Sequence, residues 1–501
     1  MKKTKILLLS FFILILTSCS MFKGNKIPGN LTNITTPKTK LKVSGVWKKT
    51  DEINLYENSE ENKSKDSDIF ISKSVIAIDD NYILNPSINT KYVNFKSYTD
   101  SKFIEIPKNI NLNFDAVKVY EFYNNMSFSQ EFIKVDENKM LTFKLGKIII
   151  YERKSEINKD EEDKKFLEVQ SLVRGETNIA PNDFGLAIAF RERNTESEKQ
   201  VDYDYYTYYI KKSKNDDKPT IIKTNDIVVP KQSGLWTITT SVKDSQKNDS
   251  KGGFKNFTLA ANPTFIDESK KINNISDTVY RRIDYVNQDY IAVTNYDYLS
   301  DSIAQSYNIF NMAALANKEP LKITNIAGNT GKEILITRFN ENARSLFNKS
   351  ELSLLPATPD FSNIGRRRIA NNWQYISNIN LDSKFSGNKV STEFTIGITP
   401  VLNLDSNENR LFTWRDIIAR RPGAIDATVS PDKKYILIQT SNSLEFYPIY
   451  YSYIGTTPLF SIQNVNGYEI VMTNWISQEN IDSLYKEYDK LEKLNSYIIQ
   501  P

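Results

Sequence analysis

Short apolar runs ended by turn residues constrain this fold more than any other feature of the chain. From about residue 43 the pattern recurs in SVIAIDDNYIL (74–84), DAVKVYEFY (115–123), MLTFKLGKIIIYE (140–152), FGLAIAF (184–190) and SGLWTITTSV (233–242). It continues in DYIAVTNY (289–296), EILITRF (333–339), EFTIGIT (393–399) and KYILIQT (434–440). Runs this short, rich in Val, Ile, Tyr and Phe, read as half-buried strands. The 28 tyrosines and 26 phenylalanines agree, because aromatic rings suit a pleated, half-buried surface. Two hairpins are legible directly. Met140–Lys144 faces Lys147–Glu152 across Leu145-Gly146, and Tyr435–Thr440 faces Leu444–Ile449 across Ser441-Asn442-Ser443. The fold class expected is all-β.

Few helices are expected. DSIAQSYNIFNMAALANK (301–318) reads as partly helical or as a strand pair, and LFTWRDIIARRPG (411–423) as a short helix stopped by Pro422-Gly423. Residues 476–501 form the clearest candidate. Ser477 is placed to cap, and Ile481, Leu484, Tyr485, Tyr488, Leu491 and Leu494 share one stripe. The polar stretches NKDEEDKK (158–165), KKSKNDDK (211–218) and KDSQKNDSKGG (243–253) read as long loops between strands.

One segment carries a repeat signal. In ATVSPDKKYILIQTSNSLEFYPI (427–449), Ser430-Pro431-Asp432 leads into the strand Tyr435–Ile438, then a tight turn and an aromatic second strand. Pro431 presets φ in the turn and Asp432 can close it through its own backbone. The segment resembles the repeat of TolB-like and other WD40-like β-propellers, with Lys433 where that family usually has glycine. Weaker echoes begin at Asp80-Asn81, Asn138-Lys139 and Asp289-Tyr290, and Ser44-Gly45-Val46-Trp47 echoes Ser233-Gly234-Leu235-Trp236. The echoes are irregularly spaced; counted over residues 43–475 at the usual blade length, the resemblance implies a β-propeller of seven or eight blades with long insertions. Two β-sandwich-type domains are the alternative.

The N-terminus addresses the chain. Lys2, Lys3 and Lys5 precede the apolar run 6–16, too short to span a bilayer and suited to a secretory leader. Leu16-Thr17-Ser18-Cys19 follows, and Cys19 is the single cysteine of the sequence. The arrangement resembles the lipobox of bacterial lipoproteins in the relaxed, spirochaetal form. That resemblance implies removal of residues 1–18, acylation of Cys19 and permanent membrane attachment. Residues 19–42 then read as a flexible tether. The protein is expected in the cell envelope, on the periplasmic face of the outer membrane or on the cell surface.

Histidine is absent, which removes Ser-His-Asp and Cys-His devices and HExxH zinc sites. With Cys19 acylated, thiolate metal sites go too. GNTGKE (328–333) has Ile326 and Glu333 where a P-loop needs Gly and Ser/Thr, so it reads as a turn. The net charge is +4, falling to +1 once the three leader lysines are removed. No nucleic-acid partner is therefore expected, and Arg366-Arg367-Arg368 reads as a solvated patch. No cofactor or metal is expected, and no catalytic residue is nominated. The best candidates for a contact surface are the tyrosines of VDYDYYTYYIKK and FYPIYYSYIG: Tyr205, Tyr206, Tyr208, Tyr209, Tyr450, Tyr451 and Tyr453. The reading is a non-catalytic platform for an envelope or host protein, with a paired-carboxylate envelope hydrolase as the alternative. Replacing Cys19 with Ala should abolish metabolic palmitate labelling and release the protein from membranes; full membrane retention would refute the anchor.

Overall fold

The computed structural model describes residues 33–35, 41–54, 68–101, 116–175, 183–244, 255–266 and 273–297, apart from a few residues within those ranges. It likewise describes 304–381, 390–398, 411–476, 480–494 and 498–500. Cys19 and the leader lie outside the described residues, as do 386–389 and 401–410. The fold is mostly β, as the run pattern predicts, with a propeller-like ring of five sheets and a separate half-barrel sheet.

The half-barrel uses ten antiparallel strands between Asn33 and Ser155, so Asn33–Thr35 and buried Leu41, expected in the tether, belong to the folded body. Alternation along Ala116–Asn124 shows how it is built. Tyr120 and Phe122 join Trp47, Phe132 and Tyr151 on one face, while Val117 and Val119 join Ile133, Leu141 and Ile148 on the other.

The ring follows. Blade 1 contains Glu469–Ile476, Phe184–Asn194, Asp202–Lys212 and Thr220–Asn225; blade 2 contains Ile227–Lys231, Gly234–Asp244, Lys255–Pro263 and Asn274–Asp277. Blade 3 is Val279–Val286, Tyr290–Asp297 and Ala304–Asn311, and blade 4 is Gly365–Ile369, Asn372–Leu381 and Val390–Thr395. Blade 5 holds Ala424–Val429, Tyr435–Thr440, Ser443–Tyr450 and Phe460–Gln463, extended by Ile498–Gln500. Five blades form where seven or eight were expected from length. The reason is that residues 33–155 build their own sheet and residues 312–352 fold largely as helices. Two of the three turn-strand echoes, at Asn81 and Lys139, start strands of the half-barrel, which explains their irregular spacing from Tyr290.

Blade packing follows the two-residue period of a strand. Phe184, Leu186, Ile188 and Phe190 point toward blade 5, where Phe184 lies 4.6 Å from Tyr435 and 5.7 Å from Phe446 between ring centroids. Ala187 and Ala189, on the opposite face, let blade 2 approach closely. The two Gly-x-Trp echoes play matching roles. Trp47 and Trp236 are both fully buried, and each lies under a cation: Arg153 at 4.4 Å and Lys231 at 3.9 Å.

Several sequence expectations are corrected. EILITRF is helical, within Ile323–Leu346, because its buried residues Gly331, Leu335, Phe339 and Ala343 recur every fourth position. Read over only seven residues, that period resembles a strand run. GNTGKE belongs to the same helix, interrupted at Gly328, whose φ of 62° and ψ of −161° only glycine adopts readily. NKDEEDKK opens the helix Lys159–Gly175 instead of a loop. Its signal is a capping box: Asn158 Oδ1 accepts from Glu161 N at 2.9 Å, and Glu161 Oε2 accepts from Asn158 N at 2.9 Å. The C-terminal helix is confined to Ile481–Asp489, and its stripe buries Ile481, Leu484 and Tyr488 as expected. Ser477 lies outside the described residues, and Asn480 takes the N-cap position. Residues 304–317 form a strand followed by a 3-10 turn, and Trp414–Arg420 is the short helix expected.

The arginine triplet is not a solvated patch. Arg366 is fully buried, its guanidinium 4.2 Å from the Tyr375 ring and 4.8 Å from that of Tyr285. On the same strand face, Arg368 pairs with Asp426 at 2.6 Å and ties blade 4 to blade 5.

The Ser430-Pro431-Asp432 turn forms as its sequence predicts. Ser430 Oγ accepts from Tyr435 N at 2.9 Å, and Lys433 N donates to Ser430 O at 2.9 Å. Lys433, at the usual glycine position, takes a left-handed φ of 60°. Lys433→Gly should therefore stabilise the fold by about 0.5–1 kcal/mol, since the lysine Cβ is strained there. Chemical denaturation checks this, and a lowered midpoint would contradict the strain argument.

Candidate functional site

The six described candidate tyrosines do not share a surface. On Asp202–Lys212, Tyr205 and Tyr209 face the blade 2 side, where Tyr209 stacks on Tyr488 at 4.6 Å and donates to Ile481 O at 2.6 Å. Tyr206 and Tyr208 face blade 5 and surround Lys223, whose Nζ lies 4.4 Å from the Tyr206 ring and 5.4 Å from that of Tyr208. Lys223 also donates to Tyr468 Oη at 3.1 Å, and burial holds its pKa below the ordinary lysine value. That lysine is an internal cation inside an aromatic cage, a packing device. Tyr450 and Tyr453 stand 5.9 Å apart on blade 5, with Tyr453 exposed, and Tyr451 lies outside the described residues.

Two of the seven, Tyr205 and Tyr206, do line a cleft. It has a volume of about 440 Å³ and lies where blades 1, 2 and 3 converge. Its walls come from the start of Asp202–Lys212, the end of Thr220–Asn225, the end of Gly234–Asp244, and the starts of Lys255–Pro263 and Val279–Val286. In antiparallel blades these positions all fall at one end of the ring. The half-barrel contacts the opposite end, where Gln232 Oε1, from the turn between Ile227–Lys231 and Gly234–Asp244, accepts from Glu131 N at 2.8 Å. The same side chain donates to Thr142 Oγ1.

The tyrosines of the cleft wall are set in place by a buried ionic network. Asp284 is 7% exposed and accepts from Arg191, from Arg282 Nε at 2.8 Å, and from Thr294. Arg191 also donates to Ile283 O at 3.0 Å and pairs with Glu469 on the closing strand. Burial opposes ionisation of Asp284, but Arg282, Arg191 and the hydrogen bonds outweigh it, so its pKa lies below the usual carboxylate range. Both guanidiniums stand 5.6 Å from the Tyr203 ring, and Tyr205 Oη accepts from Ile283 N at 2.9 Å. Arg281, also in the wall, is held in a two-pronged pair by Asp277 at 2.7 and 2.8 Å.

Asp226 is the exception to this pairing. It sits in the connection from blade 1 to blade 2, at a left-handed φ of 64°. Its backbone is fastened on both sides. Asp226 N donates to Tyr205 O at 2.9 Å, its carbonyl accepts from Thr207 Oγ1 at 2.8 Å, and Thr207 Oγ1 accepts in turn from Val228 N at 2.8 Å. Its carboxylate has no hydrogen-bond or ion-pair partner among the described residues. Burial alone pushes its pKa up to about 6. Asp204 also lines the cleft, but its charge acts on Glu192, Tyr206, Tyr208's neighbour Tyr468, and not on Asp226. Burial is thus the whole cause of the Asp226 shift, with no contribution from Asp204.

No sequence motif marks Asp226 as a site residue. Its one local signal is Asn225-Asp226 between the apolar runs TIIKT and IVVP, residue types that tolerate left-handed backbone at a turn. Among the described residues, no group of three His, Cys, Asp or Glu side chains could hold a metal ion. Comparisons with protein-family models, with curated proteins and with solved structures find no match to the chain.

A raised carboxyl pKa means that the folded state keeps its proton to higher pH than the unfolded chain. Stability is then lost as pH rises from about 4 to about 6 and stays lower above that. Asp226→Asn keeps a residue at ease in left-handed backbone and removes the unpaired charge. It should raise stability by roughly 1–2 kcal/mol at pH 8, allowing for partial solvent exposure, and leave it unchanged at pH 3.5. Thermal melts of both proteins at the two pH values check this; equal melts at pH 8 would count against an unpaired Asp226.

Proposed function

We propose that this protein is a lipid-anchored component of the bacterial cell envelope whose ring serves as a non-catalytic binding platform. The anchor rests on the Leu16–Cys19 motif and its leader; no helix among the described residues is long and apolar enough to cross a membrane. The platform rests on the cleft between blades 1, 2 and 3. Several blades contribute aromatic and hydroxyl side chains to one concave site at the end of the ring opposite the half-barrel. With the tether leading into the half-barrel, that end would point away from the lipid. Rigid tyrosines held by buried hydrogen bonds lose little entropy on contact, which favours binding of a protein or another macromolecule. The relation to WD40-like propellers remains part of this proposal, carried by the Ser430-Pro431-Asp432 turn.

Val242 lines the cleft and is 39% exposed, so an arginine there would crowd the opening without disturbing the core. Co-purification from detergent-solubilised envelopes should recover at least one specific partner with the wild-type protein. Val242→Arg should lose that partner while remaining folded and membrane-bound. An identical set of co-purifying proteins for both chains would exclude the cleft as the platform.

A further inference from the structure

From the placement of Asp226 we infer that the cleft captures a primary alkylammonium group, such as a lysine side chain or a free chain terminus of a bound polypeptide. The inference rests on the platform reading and names the chemistry of its ligand.

Among the charges that surround the cleft, Asp226 is the one with no counterion. Arg281 is neutralised by Asp277, and the guanidiniums of Arg191 and Arg282 are spent on Asp284. The blade 2 positions that line the cleft, including Thr240, Ser241, Phe257 and Thr258, carry no charge. The one cation that lines the cleft, Arg281, is thus already paired, and Asp226 is left without one. An anionic ligand would meet net negative charge there, whereas an ammonium would supply what Asp226 lacks.

The surroundings fit an ammonium in two further ways. Tyr205, Tyr280 and Phe257 contribute aromatic rings to the wall, and ring faces attract cations most strongly where water is partly excluded. Phe257 and Tyr280 hold each other edge to face at 5.1 Å, so their positions are set before any ligand arrives. Hydroxyl-bearing residues on the lining strands, Thr240 or the Ser241–Thr258 pair on the other face, offer acceptors for a remaining ammonium proton.

Backbone chemistry points the same way. At φ 64° asparagine is as comfortable as aspartate, and it would avoid burying an unpaired charge. Retaining a carboxylate there destabilises the unliganded fold, a pattern expected where a group serves binding instead of stability. The Tyr205 and Thr207 hydrogen bonds fix the left-handed backbone, so the Cα–Cβ direction that carries the carboxylate is set.

Isothermal titration of the full-length protein in detergent tests the inference. The probes are Nα-acetyl-lysine N-methylamide, alanine N-methylamide, and Nα-acetyl-norleucine N-methylamide as the uncharged control. At least one of the two ammonium probes should bind saturably at pH 7, at least tenfold more tightly than the norleucine control. The tighter of the two identifies side chain or chain terminus as the source. Its affinity should fall about tenfold at pH 5, where a carboxyl titrating near pH 6 is mostly protonated. Asp226→Asn, verified as folded by its thermal melt, should lose at least tenfold and show no pH dependence. Equal binding of the norleucine control, no binding of either ammonium, or unchanged affinity in Asp226→Asn would overturn the inference. If partner capture still depends on Val242 in that event, the platform reading survives and only the ammonium chemistry is lost.

Discussion

The ring depends on a single long-range strand pairing. Glu469–Ile476, near the end of the chain, pairs antiparallel with Phe184–Asn194, from Gly185↔Ile476 to Arg191↔Glu469. Without it, blade 1 would expose an unpaired edge along a strand buried on both faces, and blade 5 would lose the sheet against which Phe446 and Phe460 pack. Closure also delivers Glu469 to Arg191, and so completes the ionic network behind the cleft. The entropic cost of joining such distant segments grows only slowly with loop length. A closed ring is therefore accessible to a chain with large insertions, such as the helices between blades 3 and 4.

Inside that ring, charge is handled by pairing almost everywhere. Asp284 is matched to two arginines, Arg368 to Asp426, and Arg281 to Asp277. Arg366 lies between two tyrosine rings, and Lys223 among three. Burying these ions costs desolvation energy, and breaking a pair leaves an uncompensated charge, so the pairs fix which blade faces which more than they add stability. Asp226 stands out against this background because its environment raises its pKa with no compensating cation. The same buried pairs that make the ring rigid hold Tyr203 and Tyr205 in place beside it.

Much of the fold was legible locally. The hairpin 139–155 pairs Lys144 with Lys147 as the two-residue gap requires, and Tyr435–Thr440 meets the following strand across the anticipated turn. Strand periodicity is a property of a few neighbouring residues, so it survives in a short window. The helix Ile323–Leu346 was misread because a four-residue period needs a longer window to show itself. The helix at Lys159 was missed because its charged surface outweighed a capping box that the sequence does contain. The sequence pattern reads the arginine triplet as solvated because burial of Arg366 depends on its cross-strand partner Tyr375 and on Tyr285 from another blade, neighbours that only folding supplies.

What the sequence determined by itself is the set of short strands, the turn chemistry, the absence of histidine-based catalysis and the expectation of a lipid address at Cys19. These follow from residue type and spacing alone. Which sheets close into a ring, how many, and which tyrosines end on the same side were decided only by tertiary structure. Tyr205 and Tyr206 are adjacent in the chain yet face different neighbours, and Asp226 acquires its character from being enclosed by three blades. Burial and electrostatic isolation belong to the assembled molecule, because both are set by groups that only folding brings near.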